Sequence, residues 1–154
     1  RSGENLSCCK ELYEKEKRKW YAESFKLNSL SLIESISNFC NFYSEVLKDF
    51  NYVIGNLCFI FNNLWVDDKK YFLVPYAVGT YGFGFNGDKQ EAHKSSIFSE
   101  PIIIEAINFK AEQAAYQIVE KIYLWFGFSA DKIPYAKKDN GNNVIDFETI
   151  KNIR

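Results

Sequence analysis

Residues 31–66 read SLIESISNFCNFYSEVLKDFNYVIGNLCFIFNNLWV, and they carry the strongest pattern in the chain. Apolar residues recur there at alternating intervals of four and three: Leu32, Ile36, Phe39, Tyr43, Val46, Phe50, Val53, Leu57, Ile60 and Leu64. This seven-residue period is typical of a helix that packs against other helices. A second apolar row widens the stripe: Ile33, Cys40, Leu47, Ile54 and Phe61. The pattern predicts one very long helix over 31–66, which begins at a Ser31–Glu34 capping box and bends near Gly55.

Two further segments have helical patterns on either side of this stretch. Residues 8–27 are rich in glutamate and lysine, and such mixed charge favours a surface helix. Residues 99–101 (SEP) offer an N-cap and a first-turn proline for a third helix. Apolar residues keep a helical spacing over 104–125, up to Gly127, a residue type that often ends helices.

The segment between these helices has strand and turn patterns. Residues 70–74 predict a short strand, and 76–85 (YAVGTYGFGF) predict a second strand before the Asn86-Gly87 turn signal. The polar residues 88–96 are typical of a loop. Residues 144–153 fit a final short helix or a strand equally well.

Together these elements predict a mainly α fold in a single domain over 1–154. We expect an antiparallel bundle of two to four helices around the long heptad-patterned helix, with a small β-hairpin insertion near 70–87. Ala111, Ala114 and Ala115 form a strip of small residues on the third helix, which permits close approach of a neighbouring helix.

Composition excludes several classes of protein. The chain is 47% hydrophobic and 25% charged with a formal net charge of −1, unlike a strongly basic, non-specific nucleic-acid binder. The most apolar stretch, 52–66, is too short for a membrane span and contains three asparagines. Four cysteines without a CxxC pair, beside a single histidine, predict free thiols and no metal site. We therefore expect a soluble, cytoplasmic protein.

A glycine motif is the candidate ligand site. Gly82, Gly84 and Gly87 match the G-x-G-x-x-G spacing, in which bare backbone amides approach a phosphate group. Lys89 and His93 follow closely and would complete a site for a phosphate-bearing ligand. No apolar helix pattern opens directly after the motif, as a dinucleotide-binding fold requires. A glycine-rich strand and hairpin turn is the simpler interpretation.

An aromatic face is the candidate interaction surface. Tyr81, Phe83 and Phe85 alternate with glycines and so fall on one face of the predicted strand. Aromatic residues make up 18% of the chain, and the apolar stripe of the long helix is wider than two companion helices need. Both features indicate a contact with another protein or a second copy of this chain.

The first functional hypothesis is a non-catalytic interaction or regulatory protein: an adaptor, inhibitor, immunity factor or complex subunit. It rests on the aromatic surplus and on polar residues that form no catalytic set, so no catalytic residue and no cofactor are assigned. One alternative is a nucleotide- or phosphate-binding protein, or an enzyme, that uses the glycine-rich hairpin. A second alternative is an RNA-associated helical protein that joins the basic segment 15–20 with Tyr135, Lys137 and Lys138.

Overall fold

A computed structural model of the chain describes residues 24–49, 54–66, 69–74, 90–105 and 108–152. This part contains three helices and several small sheets, so the fold is a mixture of α and β structure. The expected mainly α bundle is therefore wrong. The helices are α1 (Ser29–Leu47), α2 (Ala111–Trp125) and α3 (Phe147–Lys151).

Ten short strands accompany these helices in the described part. In chain order they are β1 (Ser24–Asn28), β2 (Ile54–Leu57), β3 (Ile60–Phe61), β4 (Trp65–Val66), β5 (Lys69–Val74), β6 (Gln90–Glu91), β7 (Ile97–Phe98), β8 (Ile102–Glu105), β9 (Ala136–Asp139) and β10 (Asn142–Ile145). Strand β5 lies parallel to β1 on one side and antiparallel to β4 and β6 on the other. The remaining antiparallel pairs are β2 with β8, β3 with β7, and β9 with β10.

The prediction of one helix over 31–66 is wrong, because helix α1 ends at Leu47 and 54–66 contain the strands β2, β3 and β4. Helix α1 also begins earlier than predicted. The amides of Leu30 and Ser31 donate to Asn28 Oδ1 at 3.0 and 3.3 Å, so Asn28 is the N-cap in place of the expected Ser31. The predicted helix over 8–27 is wrong at 24–27, which belong to β1, and its remainder lies outside the described residues.

Strands β2, β3, β7 and β8 form one long antiparallel ribbon with a bulge in the middle. Two residues separate β2 from β3, whereas three residues, 99–101, separate β7 from β8. The amide of Ser99 donates to the carbonyl of Phe59 at 3.0 Å, and the Ser99 hydroxyl accepts from the amide of Phe59 at 2.9 Å. Pro101 has no N–H to offer, so a bulge is a suitable place for it.

This ribbon explains why the third helix does not begin near residue 100. The β-branched run of isoleucines in β8 favours a strand, and it pairs with β2 from Ile54↔Glu105 to Leu57↔Ile102. Helix α2 begins only at Ala111. Its predicted stop is confirmed, since the helix ends at Trp125 and Gly127 follows with a φ of +85°.

The C-terminal end of α2 is a Schellman motif. The amide of Phe128 donates to the carbonyl of Tyr123, and that of Gly127 donates to Leu124, both at 2.9 Å. The rings of Tyr123 and Phe128 lie 6.2 Å apart, which supplies the apolar contact of this motif. Both rings are buried, so the helix end is joined to the core.

Other predictions have mixed outcomes. The strand predicted over 70–74 is confirmed by β5, but its predicted partner, 76–85, lies outside the described part of the chain. The expected loop over 88–96 contains β6. The tail contains both of the expected alternatives, strand β10 and then helix α3. Asn140 and Gly141, with φ of 48° and 83°, make the tight turn between β9 and β10.

The core forms where α1, α2 and β10 pack together. Its largest fully buried side chains are those of Ile33, Cys40, Leu64, Phe72, Leu73, Val119, Tyr123, Phe126 and Ile145. Within the described residues, no helix combines the length and the apolar character needed to cross a membrane.

Replacing Gly127 with alanine tests the helix stop. A Cβ there would meet only the Gln90 side chain at 3.9 Å, so the expected cost is that of the left-handed backbone, about 1–2 kcal/mol. Urea unfolding measures it as a lower midpoint with an unchanged slope. Gly55→Ala is the matched control, because nothing lies within 4 Å of a Cβ at that position. An equal loss of stability in both variants would contradict the assigned role of Gly127.

Cys40 should make stability fall at alkaline pH. Burial raises the pKa of its thiol from 9.0 to about 12, so the folded chain holds the proton to higher pH than the unfolded chain does. The stabilisation is therefore complete below pH 9.0 and is lost as the pH rises towards 12. Denaturant titrations from pH 8 upward should show this fall in wild type. The fall should be shallower in Cys40→Ala, and parallel curves would contradict the inference.

Candidate interaction surface

Most of the residues predicted to form a site lie outside the described part of the chain. They are the glycine-motif residues Gly82, Gly84 and Gly87, then Lys89, and the aromatic residues Tyr81, Phe83 and Phe85. His93 is described, and its exposed imidazole lies beside Trp125, with ring centroids 5.9 Å apart. Across the described segments, no group of three or more His, Cys, Asp or Glu residues is arranged to hold a metal ion.

Lys137 and Asp146, near the second predicted basic segment, have a structural role. The Lys137 ammonium lies 3.0 Å from Asp146 Oδ1, and this bond lowers the pKa of the Asp146 carboxyl. The carboxylate also accepts from the amide and hydroxyl of Thr149, at 3.3 and 2.9 Å, and so caps α3. Lys137 thus helps to join the β9–β10 hairpin to the last helix. The other basic segment, 15–20, is not among the described residues.

Helix α1 has more apolar surface than the core covers. Its buried row is the second row of the sequence pattern, Ile33, Cys40 and Leu47. The first row only flanks the core, and Phe39 is 48% exposed. Phe42 follows on the same side and is 67% exposed. We call the side chains of Phe39, Phe42, Tyr43 and Val46 the α1 ridge.

The helix around Phe39 and Phe42 carries no charge up to Ser44, whereas Glu45 and Asp49 flank Val46. Between Glu34 and Glu45 the helix has only apolar, aromatic, serine, asparagine and cysteine residues. Solvated helix faces are usually rich in charged residues. Depletion of charge beside exposed aromatic rings is typical of the centre of a protein–protein interface.

Ring contacts join the α1 ridge to the start of α2. Phe39 and Tyr43 are stacked, with centroids 6.1 Å apart and an interplanar angle of 8°. Tyr43 also meets Phe109 edge to face, at 5.6 Å and 87°. Such pairs hold the rings in fixed positions, so this part of the ridge is pre-organised before any partner binds.

A groove lies beyond Phe109, between β8 and the first turns of α2. Its volume is about 220 Å³, and we call it the β8–α2 groove. Its apolar lining comes from Ile102, Ile103, Phe109 and Ala114. Its polar lining comes from Glu105, Asn108, Lys110, Gln113 and Gln117.

Sequence reasoning found one part of this surface and missed another. The apolar stripe predicted from the sequence contains Phe39, Tyr43 and Val46 of the α1 ridge, but not Phe42, its most exposed member. The local sequence around Phe109 contains no comparable signal, because the groove depends on where β8 and α2 lie in space. Comparisons with known proteins find no matching family model, no similar curated protein and no similar solved structure.

A double-mutant cycle tests the contact between Tyr43 and Phe109. The single changes are Tyr43→Leu and Phe109→Leu, and the expected coupling free energy is about 1 kcal/mol. Phe42 makes no ring contact with Phe109 in the described structure, so a cycle with Phe42→Leu serves as the control. Equal coupling in the two cycles would show that the edge-to-face pair contributes nothing specific.

Proposed function

We propose that this chain is a non-catalytic protein-interaction protein that binds a helix of another protein through the α1 ridge. The observation that carries the proposal is the pair of exposed phenylalanines, Phe39 and Phe42, in the uncharged stretch 35–44 of helix α1. Isolated exposed apolar residues are common on proteins, but a contiguous aromatic patch is not.

Energetics favour the α1 ridge as a binding hot spot. Full burial of one phenylalanine side chain contributes about 1.5–3 kcal/mol. The two exposed phenylalanines therefore offer a few kcal/mol of binding free energy to a partner that covers them. Tyr43 is already held by Phe109, so ordering this ring on binding costs little conformational entropy.

The spacing of the α1 ridge supports a helical partner. Phe39, Phe42 and Val46 follow one another at intervals of three and four, which is the spacing at which one helix interdigitates with another. A partner helix with a similar uncharged, apolar face would bury these side chains without leaving a charge unpaired.

Photo-crosslinking at the ridge identifies the partner and tests the proposal. The photoreactive residue p-benzoylphenylalanine replaces Phe42 in one variant and Asn41 in another, because Asn41 is exposed outside the ridge. We expect one protein to crosslink from position 42 in the native cell and not from position 41. Calorimetry with that purified protein should then show at least about 30-fold weaker binding to Val46→Asp, the loss expected at a hot spot.

Three outcomes would contradict the proposal. One is the same crosslinked products from positions 41 and 42. Another is a dimer of this chain lost in Phe42→Asp, since the occupant would then be a second copy. The third is a melting temperature raised by a single nucleotide and insensitive to Phe42→Asp, which would favour a ligand-binding protein. A melting curve of each variant without ligand shows that the fold is intact.

A further inference from the structure

The β8–α2 groove lies along the open edge of β8. Consecutive residues in a strand point to opposite faces, yet both Ile102 and Ile103 line the groove. A cavity that reaches both residues runs along the edge of the strand and not over one face. Strand β2 occupies the other edge, and no further strand pairs with β8 among the described residues. The groove is thus placed where an added strand would lie.

The wall opposite β8 carries two amide side chains without partners. Gln113 and Gln117 line the groove from successive turns of α2, and both are half-buried. Neither side chain makes a hydrogen bond within the described part of the chain. Neither amide is among the buried side-chain groups without a partner, so both reach water, and a peptide group can replace that water as their hydrogen-bond partner.

The spacing of these two amides matches an extended peptide. Residues four apart in a helix are separated by about 6 Å along its axis. Alternate residues of a strand are separated by about 6.6–6.8 Å. Each glutamine amide offers both a donor and an acceptor, as a peptide group does. The spacing of the two amides is therefore compatible with alternate peptide groups of one extended segment that runs along α2.

The charged residues of the groove indicate which charge one end of the ligand carries. Lys110 lines the groove, and its ammonium forms no ion pair with any described residue. Glu105 Oε2 accepts a hydrogen bond from Asn108 Nδ2 at 3.0 Å, so part of the acidic rim is already satisfied. A carboxylate on the ligand near Lys110 would complement the uncommitted cation.

The volume of the groove is small. At about 220 Å³ it is below the roughly 300–1,000 Å³ of most small-molecule sites. Its apolar lining, Ile102 and Phe109 among others, suits one apolar side chain of a peptide.

We propose that the β8–α2 groove binds an extended segment of a partner protein that adds to β8 as a strand. The segment places one apolar side chain against Ile102 and Phe109, and a carboxylate near Lys110. The inference rests on the proposed function in that the chain binds proteins, but it concerns a site separate from the α1 ridge and a strand in place of a helix.

Selection from a phage-displayed library of random heptapeptides tests the proposal. We expect enriched peptides to combine an apolar residue with an acidic residue two or more positions away. A synthetic peptide of that sequence should bind the intact chain in calorimetry. Lys110→Glu should weaken binding by about tenfold, and replacing the peptide's acidic residue with lysine should restore it.

Matched variants separate this site from others. Lys132→Glu makes the same charge change at an exposed residue outside the groove and should leave peptide binding unchanged. Gln117→Leu should weaken binding, because it removes an amide while keeping the side chain's bulk. Phe42→Asp should have no effect, so loss of helix binding at the ridge and loss of peptide binding in the groove are distinguishable.

Several results would overturn the proposal. The first is that wild type enriches peptides from the library no more than Ile103→Arg does. Ile103 is 74% exposed, and an arginine there would fill the mouth of the groove. A second is equal peptide binding by wild type and Lys110→Glu. A third is a dimer of this chain, detected by analytical ultracentrifugation, that Ile103→Arg dissociates, since a second copy would then occupy the groove. Melting curves establish that each variant is folded.

Discussion

Helix α2 is the element on which the rest of the described structure depends. Eight of its fifteen residues are buried, and it packs against both α1 and β10. Ala111, Ala114 and Ala115 are all buried, and such small side chains permit close approach of a neighbouring element. Helix α2 begins shortly after β8 and ends in the Schellman motif at Gly127. Because its two ends are set in this way, α2 determines where α1, the β9–β10 hairpin and the β8–α2 groove lie.

The heptad pattern wrongly predicted a helix over 54–66, because the apolar residues there also recur at every second position. Leu57, Phe59 and Phe61 alternate with more exposed neighbours and pack against the core. A helix through this segment would contain Gly55 in its interior, and glycine has low helix propensity. As strands β2 and β3, these residues instead form backbone hydrogen bonds with residues 97–105. The Ile-rich sequence of 97–105 favours a strand. A pairing over about forty residues is invisible to a local pattern.

Both proposed contact regions depend on which row of α1 side chains packs into the core. The core takes the row of α1 that contains Cys40, so the adjacent row, with Phe39 and Val46, remains at the surface. Tyr43 and Phe109 then connect this surface to the beginning of α2. The α1 ridge presents an apolar helical face and the groove presents a strand edge, so each suits a different secondary structure in a partner.

Features that depend on neighbouring residues could be predicted from the sequence alone. These are helix α1 over 31–47, the strand at 70–74, and the stop at Gly127. Three other features follow from tertiary contacts: the pairing of 54–61 with 97–105, the row of α1 that is buried, and the position of the groove. The physical reason is that local propensities depend on nearby residues, whereas strand pairing and burial depend on partners distant in sequence.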